Sequence, residues 1–166
     1  MRLAILSIFA TVLASPALAL TFQTPLEHVE WTVAGDRFEC RLAQPVLGFG
    51  QGGFVRRAGE APTFELQAQE NWLSRGTAQL LAAAAPWRVN QTDIQLGTVL
   101  VVDQGNSLQT SKLQAGRLLT ALLEGRGPLI RHRTGQGDAL EVRVLPARFS
   151  AAYQEYLDCI AGLLPY

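Results

Sequence analysis

The sequence has no excess of charge of either sign, because 14 basic side chains balance 14 acidic ones. Lys112 is the only lysine, so the basic residues are almost all arginine. Nucleic-acid binding depends on a broad basic field that neutralises phosphates. A near-neutral domain lacks that field, and the sequence therefore predicts no nucleic-acid partner.

Residues that carry chemistry are also scarce, and they are not arranged in motifs. The sequence contains no His-Glu-x-x-His, Cys-x-x-Cys or Gly-x-Ser-x-Gly pattern, which disfavours zinc, thioredoxin-type and nucleophile-elbow sites. The glycines between 48 and 53 precede no Gly-Lys-Ser/Thr, so we interpret Pro45–Gly53 as a connection rather than a phosphate loop. His28 and His132 are expected to be surface histidines. We predict no catalytic residue, no cofactor and no metal ligand.

Long apolar runs are absent except at the N-terminus, where the pattern is that of a secretory signal. Arg2 is followed by 11 apolar-rich residues, Leu3–Leu13, and by the small-x-small site Ala17–Ala19. A membrane-spanning helix needs roughly 20 residues. We therefore predict a signal peptide over residues 1–19 and one mature domain over 20–166 with no membrane span. A buried N-terminal helix is the weaker alternative, because all three signal elements occur in order.

The sequence has two cysteines, Cys40 and Cys159. A pair of cysteines in an exported chain favours one disulfide. Two free buried thiols remain the alternative at this point.

Strict alternation marks the first hairpin. Glu27–Val33 places Val29 and Trp31 on one face, and Arg37–Leu42 places Phe38, Cys40 and Leu42 inward. The Gly-Asp turn between the two runs is typical of a β-hairpin. Cys40 is therefore expected on the buried face.

Further alternating or β-branched runs predict strands near residues 53–57, 63–68, 77–84, 97–102, 128–133 and 138–145. Helical spacing predicts one helix over Gln109–Glu124, capped by Thr110 or Ser111 and ended by Gly125, and a second helix that Ser150 caps. The pattern indicates a mainly antiparallel β (α+β) domain. It would be barrel-like or a sandwich, with seven or eight strands and two covering helices.

Two sets of residues are candidates for a partner surface. The tryptophans Trp72 and Trp87 sit at predicted element ends, and Arg88 follows the second. Aromatic and arginine side chains on loops are the types that anchor protein interfaces. The arginines expected to be exposed form the other set: Arg56, Arg57, Arg131 and Arg133. Packing at the edge of the core is the alternative for the tryptophans, and a solvated face is the alternative for the arginines.

Several of these segments together resemble a known family. Glu30–Leu42 is similar to a Trp-x-Val-x-Gly…Cys hairpin, and Pro86–Arg88 to a Pro-x-Trp-Arg segment. Phe149–Tyr153 and Cys159–Tyr166 are similar to a closing helix, cysteine and Leu-Leu-Pro-Tyr stretch. Through these motifs the chain, over residues 20–166, resembles the N-terminal domain of the MotY family. Members of this family are periplasmic components of ion-driven polar flagellar motors.

The resemblance implies a disulfide between Cys40 and Cys159, a β-barrel-like antiparallel fold with two helices, and no enzymatic activity. It also implies a structural role in the periplasm: association with the flagellar basal body as part of the T ring, together with a MotX-like partner, so that stator units are recruited around the rotor. Members of the family continue into an OmpA-like peptidoglycan-binding domain, whereas this sequence stops at Tyr166. We therefore do not expect peptidoglycan binding from this chain alone. An exported β-barrel-like domain that binds a small ligand or lipid is the alternative function, and a hydrolase is a third.

Overall fold

A computed structural model of the protein describes residues 19–73, 75–102, 106–133 and 137–164. The predicted signal peptide lies outside these ranges except for Ala19. The ten strands within the described residues are β1 Leu20–Gln23, β2 Thr32–Gly35, β3 Glu39–Val46, β4 Gly50–Arg57, β5 Thr63–Ala68, β6 Gly76–Ala84, β7 Ile94–Val102, β8 Ser107–Gln109, β9 Arg126–Arg133 and β10 Ala139–Arg143. Two α-helices complete the fold, α1 Lys112–Leu123 and α2 Phe149–Ala161.

All ten strands belong to one sheet, in the order β1-β10-β9-β6-β7-β8-β5-β4-β3-β2. Every pairing is antiparallel except β1 with β10. The predicted mainly β fold with two helices is confirmed, but the expected count of seven or eight strands is wrong. The two strands that the sequence patterns do not predict are β1 and β8. β1 has four residues and pairs with the distant β10, whereas β8 has three residues and pairs with β5 and with β7, which precedes it in the chain. Strands this short offer too little alternation to be recognised from the sequence.

The sheet curves into a half-barrel, and buried polar contacts join regions near its two ends. The fully buried side chain of Gln44 on β3 donates to the carbonyl of Leu145, just beyond β10, at 2.8 Å and accepts from its amide at 2.9 Å. Trp31 Nε1 donates to the same carbonyl at 3.2 Å. Gln44 therefore supplies the two hydrogen bonds that a neighbouring strand would otherwise provide.

The predicted first hairpin is present, but it begins later than expected. Leu26–His28 forms a 3-10 turn, and β2 starts only at Thr32. Cys40 and Leu42 are buried as predicted, whereas Phe38 is 52% exposed. The Asp36 carboxylate accepts from the amides of Phe38 and Glu39 at 2.7 and 3.0 Å. Phe38 thus belongs to an Asx-type turn rather than to the alternating strand.

The glycine-rich stretch predicted as a connection instead belongs mostly to two neighbouring strands, β3 and β4. β3 extends to Val46 and β4 begins at Gly50, so the turn is only three residues long. A Cβ on Gly53 would collide with the backbone of Leu42 and Ala43, and one on Gly52 would lie 2.7 Å from Val144 Cγ2. These glycines permit close packing across the barrel, which is a tertiary requirement.

The helices start and end close to where the sequence predicts. Ser111 caps α1 through a capping box with Gln114, and Gly125 follows the helix with φ +80°. The expected cap of α2 is wrong, because Arg148, in a left-handed conformation, precedes Phe149 as its N-cap, and Ser150 lies inside the helix. Gln109, expected in the first helix, is part of β8.

Candidate functional site

The disulfide between Cys40 and Cys159 links β3 to α2, as predicted. Their Cα atoms are 6.1 Å apart and 119 residues separate them in the chain. A Cβ on Gly35, which pairs with Cys40 across the hairpin, would lie 2.7 Å from Cys159 Sγ. The absence of a side chain at residue 35 therefore makes room for the disulfide.

Around this bond, α2 is anchored by aromatic side chains. Phe149 and Tyr156 are each 1% exposed, and the Phe149 ring packs edge-on against Trp31 at a centroid distance of 5.0 Å. Burial raises the pKa of the Tyr156 phenol above its usual range, although the positive charge of Arg56 opposes the shift. Tyr156 is therefore a neutral core residue at physiological pH.

The four arginines proposed as a partner surface do not form one patch. Arg56 and Arg57 lie on β4, and Arg131 and Arg133 lie on β9, with four strands between them. Arg57 Nε is 3.1 Å from a Glu39 carboxylate oxygen. In the same way, Arg131 is paired with Glu141 at 2.7 Å and with Asp93 at 3.6 Å. The two pairs of arginines cannot contact one small partner segment together.

The two candidate tryptophans also differ. Trp72 is partly buried and packs against Phe22, with ring centroids 5.0 Å apart. Trp87 is 48% exposed in the loop that leaves β6, and Val89 beside it is 83% exposed. The structure thus places Trp72 at the edge of the core, while Trp87 is presented to solvent.

Arg88 fixes the loop that carries Trp87. Its guanidinium donates to the Glu124 carbonyl, at the C-terminal end of α1, at 2.8 Å. A cation at this position also complements the helix dipole. Arg126 donates to the Thr92 carbonyl at 2.7 Å, so both ends of the loop over residues 85–93 are fastened.

An open apolar groove of about 500 Å³ runs beside α1 and ends at Glu124. We call it the α1 groove. One wall is formed by α1, and the other by residues at the ends of β6 and β7. Its lining consists of Ala82, Ile94, Gln95, Leu96, Lys112, Leu113, Gly116, Arg117, Thr120, Ala121 and Glu124.

Sequence reasoning missed this groove. The predicted strand starts only at residue 97, and helical spacing over Gln109–Glu124 does not show which face of the helix stays uncovered. Leu113 is in fact 67% exposed, and Ile94 is 44% exposed. A glycine at position 116, in mid-helix, was the one local signal that could have pointed to this face.

The barrel interior is filled. Phe54, Phe64 and Leu66 are fully buried, and the rings of the two phenylalanines pack edge to face at 5.2 Å. Among the described residues, no three His, Cys, Asp or Glu side chains are grouped as metal ligands. His132 is 7% exposed, so its expected surface position is wrong, and its Nδ1 lies 3.2 Å from the Thr77 carbonyl.

Neither helix in the described ranges has the length and apolar character that crossing a bilayer requires.

Comparison with known proteins supports the family resemblance. The family model for the MotY N-terminal domain matches residues 22–165. The sodium-type flagellar protein MotY of Vibrio parahaemolyticus is 26% identical over 147 residues, which cover 86% of this chain. The chain spans about half the length of that curated relative, since the match covers 50% of it.

Proposed function

Because the chain belongs to the MotY N-terminal domain family, we propose that it is a non-enzymatic structural component of the flagellar motor. It would act in the periplasm, associate with the basal body and help to recruit or stabilise stator units. Basal-body proteins, a MotX-like protein and stator proteins would be its partners.

The observation that carries the proposal is the match of the family model to residues 22–165, which includes both cysteines of the disulfide. The name of the Vibrio relative, a sodium-type flagellar protein, assigns that protein to a flagellum. The disulfide supports the proposed compartment, because such bonds persist in oxidising environments such as the periplasm.

Deletion of the gene in the organism that carries it tests the function directly. We expect the deletion strain to assemble filaments but to swim poorly in soft agar, and the intact gene supplied in trans to restore swimming. Purified basal bodies from the complemented strain should contain the protein. Normal swimming of the deletion strain, together with basal bodies that lack the protein, would refute the proposal.

Nothing in the described residues favours the alternative of a small-ligand or lipid carrier. A carrier of this kind encloses its ligand in an apolar cavity. Here the interior positions are occupied by buried side chains such as Phe54 and Leu66, and the α1 groove is open to solvent.

A further inference from the structure

The α1 groove follows a second face of its helix. Beside the buried stripe of Ala115, Leu118 and Leu122, the lining residues recur along the full 12 residues of α1. At a rise of 1.5 Å per residue this is about 18 Å, the length of three helical turns. A groove of this length matches the apolar face of one short helix.

Both ends of the groove are held in place by the protein itself. At the N-terminal end of α1, the Gln114 amide donates to the carbonyls of Leu96 and Thr98 on β7, at 3.3 and 3.0 Å. At the other end, Arg88 binds the Glu124 carbonyl. The walls are therefore preformed, and binding of an occupant would cost little conformational entropy for ordering them.

Gly116 lies on the groove face, and the packing of this chain does not explain it. A glycine in a helix interior destabilises the helix by about 1 kcal/mol relative to alanine. Yet a Cβ on Gly116 would meet no heavy atom within 4 Å, so no neighbouring group in the fold requires its absence. The close approach of a partner's backbone to this position would explain why residue 116 is a glycine.

The charged side chains that line the groove indicate which charge the partner carries. Lys112 and Arg117 line it, and neither forms an ion pair with a described residue. Glu124, at the far end, is the single acidic lining residue. Unpaired basic side chains around an apolar floor attract acidic residues that flank apolar ones.

We propose that the α1 groove binds an amphipathic helix of a motor partner, with its apolar face against Leu113 and Ile94 and its acidic residues against Lys112 and Arg117. Trp87, which is 48% exposed, directly precedes Arg88, the residue that binds the Glu124 carbonyl at one end of the groove. The inference rests on the proposed function, because it locates the surface that this function uses.

The first test measures binding of labelled peptides to the full chain by fluorescence anisotropy. One amphipathic peptide has leucines on one face flanked by glutamates, and its twin has lysines in place of the glutamates. We expect the acidic peptide to bind at least roughly tenfold more tightly. The double variant Lys112→Glu, Arg117→Glu should reverse this preference. The double variant Arg37→Glu, Arg75→Glu, which changes two exposed arginines outside the groove and alters the net charge equally, should not.

The apolar floor is tested with matched leucines. Leu113 is 67% exposed in the groove, and Leu100 is 64% exposed on β7 outside it. Leu113→Asp should weaken acidic-peptide binding at least roughly tenfold, and Leu100→Asp should leave it unchanged. Gly116→Ala should raise the melting temperature but weaken binding, a combination that a purely structural role of Gly116 does not produce.

Swimming assays separate failure of this inference from failure of the proposed function. If the wild-type gene does not restore swimming to the deletion strain, the proposed function is wrong. If it does, Leu113→Asp and the Lys112→Glu, Arg117→Glu variant should restore swimming poorly, and Leu100→Asp should restore it fully. Equal restoration by all variants overturns the groove assignment. So does a dimer, seen by sedimentation of the full chain, that Leu113→Asp dissociates, because the occupant would then be a second copy.

Discussion

Two regions of the molecule differ in how far their apolar side chains are buried. On the disulfide side, formed by β2, β3 and α2, the helix is joined covalently to the sheet, and Phe149 and Tyr156 are each 1% exposed. On the groove side, formed by residues 85–93, β7 and α1, the backbone is fastened by Gln114 and Arg88, but Leu113 and Trp87 remain exposed. Fixed backbone with uncovered apolar side chains is expected where a partner binds, whereas the first region stabilises the fold.

The largest expected effect is loss of the disulfide. Cys40→Ser and Cys159→Ser should each lower the free energy of unfolding by about 4–5 kcal/mol, because the bond closes a long loop and restricts the unfolded chain. Thermal unfolding without reductant measures the loss, and wild-type protein with reductant should match both variants. Unchanged melting temperatures would show that the disulfide does not stabilise this side of the molecule.

Next in size is the buried contact between β3 and the segment after β10. Gln44→Leu should lower the free energy of unfolding by about 1–3 kcal/mol, because the buried Leu145 amide loses its hydrogen-bond acceptor. The Leu145 carbonyl still accepts a hydrogen bond from Trp31 Nε1. Chemical denaturation gives the value. Gln51→Leu, on the exposed face of β4, is the matched control and should change stability by less than about 0.5 kcal/mol. Equal costs for both variants would contradict the role assigned to Gln44 in joining the sheet ends.

A smaller effect is expected on the groove side. Arg88→Ala should reduce stability by about 0.3–1 kcal/mol, because the α1 terminus loses a cation and a hydrogen bond. Limited proteolysis should then cut within residues 85–93 faster than in the wild type. Trp87→Ala should leave both stability and proteolysis nearly unchanged. A larger loss of stability from Trp87→Ala than from Arg88→Ala would mean that Trp87 is a packing residue.

The smallest effect concerns the turn beside the disulfide. Hydrogen bonds from the amides of Phe38 and Glu39 hold the pKa of Asp36 below its usual value of 3.8. The stability that the carboxylate contributes is therefore complete above that value and is lost as pH falls through the lower pKa of the folded state. The melting temperature of the wild type should exceed that of Asp36→Ala at neutral pH, and the difference should shrink below about pH 4.

Asp36→Asn provides the control for this prediction. Its side-chain oxygen still accepts a hydrogen bond but carries no carboxylate charge, so its melting temperature relative to Asp36→Ala should not depend on pH. A wild-type advantage that persists at the lowest pH would assign the effect to the shape of the turn rather than to the charge.

Much of the fold follows from local rules. Alternation placed Cys40 and Leu42 inward, capping residues delimited α1, and the order of strands and helices indicated a mainly β domain. The site was less predictable. Of the seven proposed surface residues, Trp87 is presented near the groove and Arg88 fastens its loop, whereas Trp72 packs against Phe22. Sequence patterns mark residue types suited to an interface but not which of them remain uncovered.

The sequence by itself determined the two cysteines, the alternation that buries one of them, the cap of α1 and the motifs shared with the family. These features depend on a residue and its near neighbours. Only the tertiary structure decided that Gln44 would meet Leu145, that Gly52 and Gly53 would lie within β4, and that α1 would leave an open groove beside β7. Each of these depends on the close approach of segments far apart in the chain, which no local pattern encodes.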